Sequence, residues 1–164
     1  MAKVKAIALG LILVAASGCD TSGRISRLER QNEDFKAEME KNSAAVDYDL
    51  QAKCSKDARA WFNENWSSDK NTMLLDFNNH YNKALNKCFI LVEYHYSTGV
   101  SASWMNSMTL WDVYENLKYG NLSENHSIDF KSEPRDEVIT CEVADKKCTT
   151  SDQFVGLTWP YLNN

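Results

Sequence analysis

The sequence predicts an α+β domain. It reads as N-terminal helices with a candidate coiled-coil stalk, a small antiparallel sheet of three to five strands, and a short C-terminal helix. Three observations carry this. Apolar residues recur at steps of three and four through the first third of the mature chain, which is helical spacing. From Cys88 onward the apolar residues are β-branched and aromatic and alternate, as strands do. Near the end, Ser151 precedes a short apolar set at helical spacing and is expected to cap a last helix.

Composition narrows the class. The chain has 164 residues, a formal charge of −5, 43% apolar and 25% charged residues. Those values suit one globular domain and exclude a wholly disordered or multi-pass membrane chain. An acidic balance argues against nucleic acid as a partner, since that requires a basic face.

Residues 1–18 read as a signal peptide. Lys3 and Lys5 form a basic start, and residues 6–16 form an uncharged apolar run that is too short for a span of roughly 20 residues. Ala16-Ser17-Gly18-Cys19 follows. This resembles a bacterial lipobox, with Ala16 where leucine is usual. The resemblance implies cleavage before Cys19, attachment of diacylglyceryl to its sulfur and acylation of the new amino terminus. The alternatives are an ordinary secretory signal in which Cys19 is incidental, or an uncleaved anchor. Asp20 resembles the residue that retains lipoproteins at the inner membrane in enteric bacteria, a rule that varies between bacteria. Loss of residues 1–18 removes two lysines and no acid, so the mature chain of 146 residues moves from −5 to −7. Such a body has no electrostatic affinity for anionic lipid, which leaves acyl chains to hold it at the membrane.

Residues 19–23 are the lipidated cysteine and a tether, and residues 24–45 the stalk. Ile25, Leu28, Asn32, Phe35 and Met39 fall at steps of three and four, an a/d seam with Asn32 at an a position. Five bases and five acids lie in residues 24–41, which suits a solvated helix surface. About two and a half heptads are marginal alone. The seam either pairs with other copies, helped by tethering to one membrane, or packs on the chain's own body. A helix over residues 25–41 would be roughly 25 Å long.

The globular part is residues 46–164. Val46, Leu50, Cys54, Ala58, Trp61, Phe62 and Trp66 form a second helical stripe after a weak point at Asn42-Ser43. Residues 71–86 are ambiguous between helix and extended chain. Residues 88–96 read as a strand, with Cys88, Ile90, Val92, Tyr94 and Tyr96 on one face. Residues 103–115 read as a second, with Trp104, Met108, Leu110 and Tyr114 opposed to Met105, Thr109, Trp111 and Val113. A third is expected near residues 119–122, then a polar loop over residues 124–135 in which Pro134 keeps Glu133 out of helix. Residues 137–143 and 146–150 form a hairpin about Ala144-Asp145. No internal repeat stands out.

Apart from Cys19, four cysteines remain: Cys54, Cys88, Cys141 and Cys148. In an exported chain an even number points to two disulfides, with three pairings open. The hairpin sets Cys141 opposite Cys148, which leaves Cys54 with Cys88; this is the favoured pairing. Closing that loop of about 35 residues contributes roughly 3–4 kcal/mol. The spacing does not match a zinc site, and neither a metal nor another cofactor is expected.

The run His80-Tyr81-Asn82-Lys83, Leu85-Asn86-Lys87-Cys88-Phe89, with Asp112-Val113-Tyr114-Glu115-Asn116 and the Cys141/Cys148 hairpin, resembles uncharacterised small exported proteins and lipoproteins of proteobacteria. The resemblance covers roughly residues 54–162. It implies export, disulfides and one compact domain, and it transfers no catalytic residue.

No motif such as G-x-S-x-G or H-E-x-x-H is present, and His80, His95 and His126 read as structural or surface residues. Glu93 and Asp112 are strand carboxylates that could pair for glycoside hydrolysis, with His95 as a third candidate for a wall or glycan hydrolase, although any acidic domain offers such pairs. The aromatic residues Tyr94, Tyr96, Trp104, Trp111 and Tyr114 are either core or a platform for an envelope protein or glycan. The leading expectation is a lipid-anchored, periplasm-facing envelope protein with a non-enzymatic interaction domain. The alternative is the periplasmic hydrolase.

Overall fold

The structure, a computed structural model, describes residues 21–99, 102–128 and 135–163. Residues 1–18, expected to be a signal peptide, lie outside the described residues, as do Cys19, Asp20 and Pro134. The elements, in order, are α1 (Thr21–Asn65), β1 (Thr72–Asn82), β2 (Lys87–Ser97), β3 (Ser103–Asp112), β4 (Leu117–Ser127), β5 (Arg135–Val143), β6 (Lys146–Lys147) and α2 (Ser151–Leu162). The fold is α+β, with one six-stranded antiparallel sheet in the order β1-β2-β3-β4-β5-β6.

The chain divides into two compact units, residues 1–42 and 43–164. In the first, the described part is helix, and every side chain of residues 23–42 is exposed. No break occurs at the weak point Asn42-Ser43, and the second stripe continues from the stalk: α1 is one helix. Asn and Ser are only mildly unfavourable in a helix, and neither is a Gly or Pro that would end one.

The second unit is three layers deep. Adjacent residues of a strand point to opposite faces, and β2 shows both faces in use. Cys88, Ile90 and Val92 pack under α1 with Cys54, Ala58, Trp61 and Phe62. Phe89 meets Tyr161 of α2 and Tyr119 of β4, each at 5.1 Å between ring centroids and edge-on. All four β2 residues are fully buried. The buried part of the α1 stripe begins at Leu50; Val46 is exposed.

Two strand expectations are corrected. The sheet has six strands, not three to five, because the ambiguous residues 71–86 supply β1 and its turn. Asn78 and Asn79 hide the strand's alternation, yet Leu75, Phe77 and Tyr81 point to α1, and Asn79 between them donates to Ser55 Oγ at 3.0 Å. The edge of β1 is partly closed as well, since the Tyr81 amide donates to Gln51 Oε1 at 2.8 Å. The polar loop expected over residues 124–135 is shorter. β4 continues to Ser127 and β5 starts at Arg135, paired with each other through Ser127 and Arg135. Antiparallel pairing satisfies the backbone whatever side chains it carries.

The turns share a device. Asn86 and Asn116 end the β1–β2 and β3–β4 turns at φ 53° and 50°, a left-handed conformation that asparagine tolerates. Each turn opens on a buried Asx side chain. Asn82 Oδ1 accepts from the Leu85 amide, and Asp112 Oδ1 accepts from the Tyr114 and Glu115 amides. The Asn82 side chain also donates to the Pro160 carbonyl at 2.8 Å, so it fastens the first turn to the end of α2. The cap of α2 is Thr150, not Ser151: its hydroxyl accepts from the Gln153 amide at 3.2 Å.

Both disulfides are present, Cys54–Cys88 joining α1 to β2 and Cys141–Cys148 closing the β5–β6 hairpin. Gly120 lets Phe154 approach the sheet; a Cβ there would sit 3.1 Å from Val143 Cγ2 and 3.4 Å from Phe154 Cε2. Truncating the fully buried ring on which the α2 layer packs should be severe. Phe89→Ala is expected to cost about 3–5 kcal/mol, read as a lowered urea midpoint with the slope retained. A loss below about 1 kcal/mol would contradict this packing.

Candidate functional site

The five aromatic residues singled out as a platform do not share one surface. Tyr94, Tyr96 and Trp111 lie on the α1 face of the sheet. Tyr94 stacks on Tyr96 at 5.1 Å and meets Trp66 edge-on at 5.9 Å. Trp111 packs against Trp61 at 5.4 Å. Tyr114 is not in β3 but in the following turn, where the Lys53 ammonium sits 4.4 Å from its ring centroid. Trp104 is on the opposite face, the one that α2 covers.

On that opposite face the register gathers a different set. His95, Asn106 and Glu124 stand abreast on β2, β3 and β4. The next row is Trp104, His126 and Asp136 on β3, β4 and β5. Trp104 and His126 stack nearly parallel, 5.2 Å between centroids. His126 Nδ1 is 2.7 Å from Asp136 Oδ1, and Nε2 is 3.6 Å from Glu124 Oε2. The Asn106 amide donates to Glu124 Oε2 at 3.2 Å. Glu124 is buried at 7% exposure, with these two side chains as its polar neighbours. Glu93, two residues from His95 on the same face, comes within 2.8 Å of His95 Nε2, though out of hydrogen-bonding alignment. The apolar layer under α2 (Phe89, Leu110, Val143 and Phe154) lies to one side. The cluster occupies the end of the face near Ser97 and Ser103.

Sequence reasoning singled out Trp104, Glu93 and His95, read His126 as a structural or surface residue, and missed Asn106, Glu124 and Asp136. Within each strand these residues alternate with side chains of the other face. Only the register across four strands makes them neighbours. The trace available in the sequence was the polar end of β4, SENHS.

Asp112, the third residue considered for hydrolysis, is occupied elsewhere. It is four register positions from Met108, the partner of Glu93, a separation of roughly 13 Å at strand rise. Its side chain is fully buried, and Lys87 Nζ lies 2.5 Å from its Oδ2 and 2.5 Å from Glu115 Oε2. Hydrogen bonds to Asp112 and then Glu115 hold the Lys87 ammonium charged well above the ordinary lysine range. Among the described residues no group of three or more His, Cys, Asp or Glu side chains is placed to hold a metal ion. No helix of the described residues is long and apolar enough to cross a membrane.

No protein family, curated protein or solved structure matches this chain.

The Lys87–Asp112 pair yields a prediction with a definite sign. Lys87→Met leaves a buried carboxylate without its cation, and a loss of about 2–3 kcal/mol is expected. Because the folded lysine pKa is raised, its contribution is complete below the unfolded value and disappears as pH rises through the folded one. Denaturation of the wild type and Lys87→Met should therefore differ equally at pH 6 and pH 8 and converge only at strongly alkaline pH. A gap that widens with rising pH would contradict the assignment.

Proposed function

We propose that this chain is an exported lipoprotein. In this reading residues 1–18 are removed, Cys19 is acylated, and the disulfide-braced domain faces the periplasm, where it binds an envelope partner and catalyses nothing. One observation carries the reading. Four of the five cysteines in the sequence pair in two disulfides, and the fifth is Cys19. Disulfides persist in oxidising compartments, which agrees with an export signal. The remaining cysteine stands where the lipobox resemblance needs its nucleophile. Asp20 favours the inner membrane by the enteric rule.

The recognising surface we assign is the cluster of Trp104, His126, Glu124, Asn106, Glu93 and His95. An indole face beside imidazoles, an amide and carboxylates supplies a stacking ring and directed hydrogen bonds, the mixture that protein or glycan partners engage. The competing reading, a wall or glycan hydrolase, draws on the closeness of Glu93 and His95. The two readings part on mutation. Under the binding reading Trp104→Ala abolishes partner crosslinking, while Glu93→Gln causes no wall or glycan fragment to accumulate. Under the hydrolase reading Glu93→Gln accumulates substrate.

Fractionation tests the anchor. Wild type is expected in the membrane fraction, with the mature N-terminal peptide heavier by its acyl groups in mass spectrometry. Cys19→Ala is expected to leave the membrane fraction. An unmodified Cys19 thiol in membrane-bound wild type would overturn the lipoprotein reading.

A further inference from the structure

The first half of α1 keeps a large apolar seam in solvent. Ile25, Leu28, Phe35 and Met39 are 54%, 60%, 62% and 57% exposed, and Asn32 between them is exposed as well. We propose that this seam binds the same seam of a second copy of the chain, as a parallel, in-register, two-stranded coiled coil. The inference goes beyond the lipoprotein reading and stands without it, although tethering on one membrane would raise the concentration at which copies meet.

Charge complementarity selects the occupant. With Ile25 at an a position, the flanking g positions are Arg24, Gln31 and Glu38, and the flanking e positions are Glu29, Lys36 and Ser43. In a parallel pair each g residue faces the e residue five places on in the partner. Arg24 then meets the partner's Glu29, Gln31 the partner's Lys36, and Glu38 the partner's Ser43. By symmetry the attractive Arg–Glu pair occurs twice, and like charges never meet.

Asn32 selects the alignment. In register, Asn32 faces the partner's Asn32, and the two amides can donate to and accept from one another. A slip of one heptad would set Asn32 against the partner's Ile25 or Met39, and an antiparallel pair would set it against Phe35 or Leu28. Each alternative buries an amide without a partner. A polar a residue of this kind specifies register and two strands.

The helix needed for binding already exists. Nucleation is the costly step in forming a helix, and propagation adds one bond per residue. α1 is continuous from Thr21 to Asn65, and its later turns are packed on the sheet. The seam therefore grows from a formed helix, and a dimer of so few heptads does not have to fold and associate at once.

Photo-crosslinking in the full-length chain in its native membrane tests this. A crosslinking amino acid at Leu28 is expected to give a product of twice the chain mass, and the same probe at Arg30, on the outer face, is expected to give none. Arg24→Glu and Glu29→Arg should each lower the Leu28 yield roughly three- to tenfold, a range that surface ion pairs made repulsive can reach. The double variant should restore it. All these positions are exposed, so folding is not at stake. Equal crosslinking from Leu28 and Arg30, no self-product, a trimer, or a product with lipid or another protein would overturn the proposal, as would failure of the double variant to recover. Sedimentation of Cys19→Ala in solution separates the two readings. Dimers at high concentration support the seam whether or not the native chain carries lipid, and a monomer at every concentration counts against it.

Discussion

Strand β2 has to be covered twice, and most of the structure follows from that constraint. Cys88, Ile90 and Val92 on one face and Phe89 on the other have no exposed surface. An antiparallel sheet can leave one face to water only if that face is polar, and over residues 88–92 neither is. The covers come from opposite ends of the domain. The later turns of α1 lie over one face, and α2 lies over the other. Each is fixed by a link that does not rely on apolar contact alone. Cys54–Cys88 binds α1 to β2 covalently. Asn82, buried in the first turn, hydrogen-bonds the end of α2, while Thr150 caps its start.

The same arrangement determines where the sheet remains open. β4 and β5 contribute nothing to the apolar cluster beneath α1, and α2 spans only twelve residues. Among the described residues, Trp104 at the end of the sheet near Ser97 and Ser103 stays outside the apolar cluster that α2 joins. The residues beside it are polar, and they organise one another. Glu124 is buried because Asn106 and His126 flank it, and His126 is held between the Trp104 ring and Asp136. A surface fixed this way by its own hydrogen bonds loses little freedom on binding, which is what preorganised recognition requires.

How much of this was legible in the sequence depended on whether the deciding interactions were local. The alternation in CFILVEYHY sets both faces of β2 because a strand's period is a local property. The Cys141/Cys148 pairing could be read because a tight hairpin places those residues opposite each other. β1 was obscured by Asn78 and Asn79, and the partner of Asn79 on α1, Ser55, cannot be seen from propensity. The continuity of α1 through Asn42-Ser43 shows the converse: polar residues that look like a break are tolerated where nothing terminates the helix. The cluster around His126 was the least legible part. It exists only through the registers of four strands, including bulges between Leu110 and Trp111 and between Ser123 and Glu124. The part given to Asp112 by sequence reasoning failed for a related reason, since its ion pair with Lys87 forms across a strand pair.

Native-state hydrogen exchange on the oxidised protein tests the double burial of β2 most directly. The amides of Phe89, Ile90 and Val92 should be the slowest in the chain and should exchange only through global unfolding, with the same denaturant dependence as the unfolding transition. Exchange of these amides through a smaller opening, with strands β4 and β5 more protected, would contradict the account.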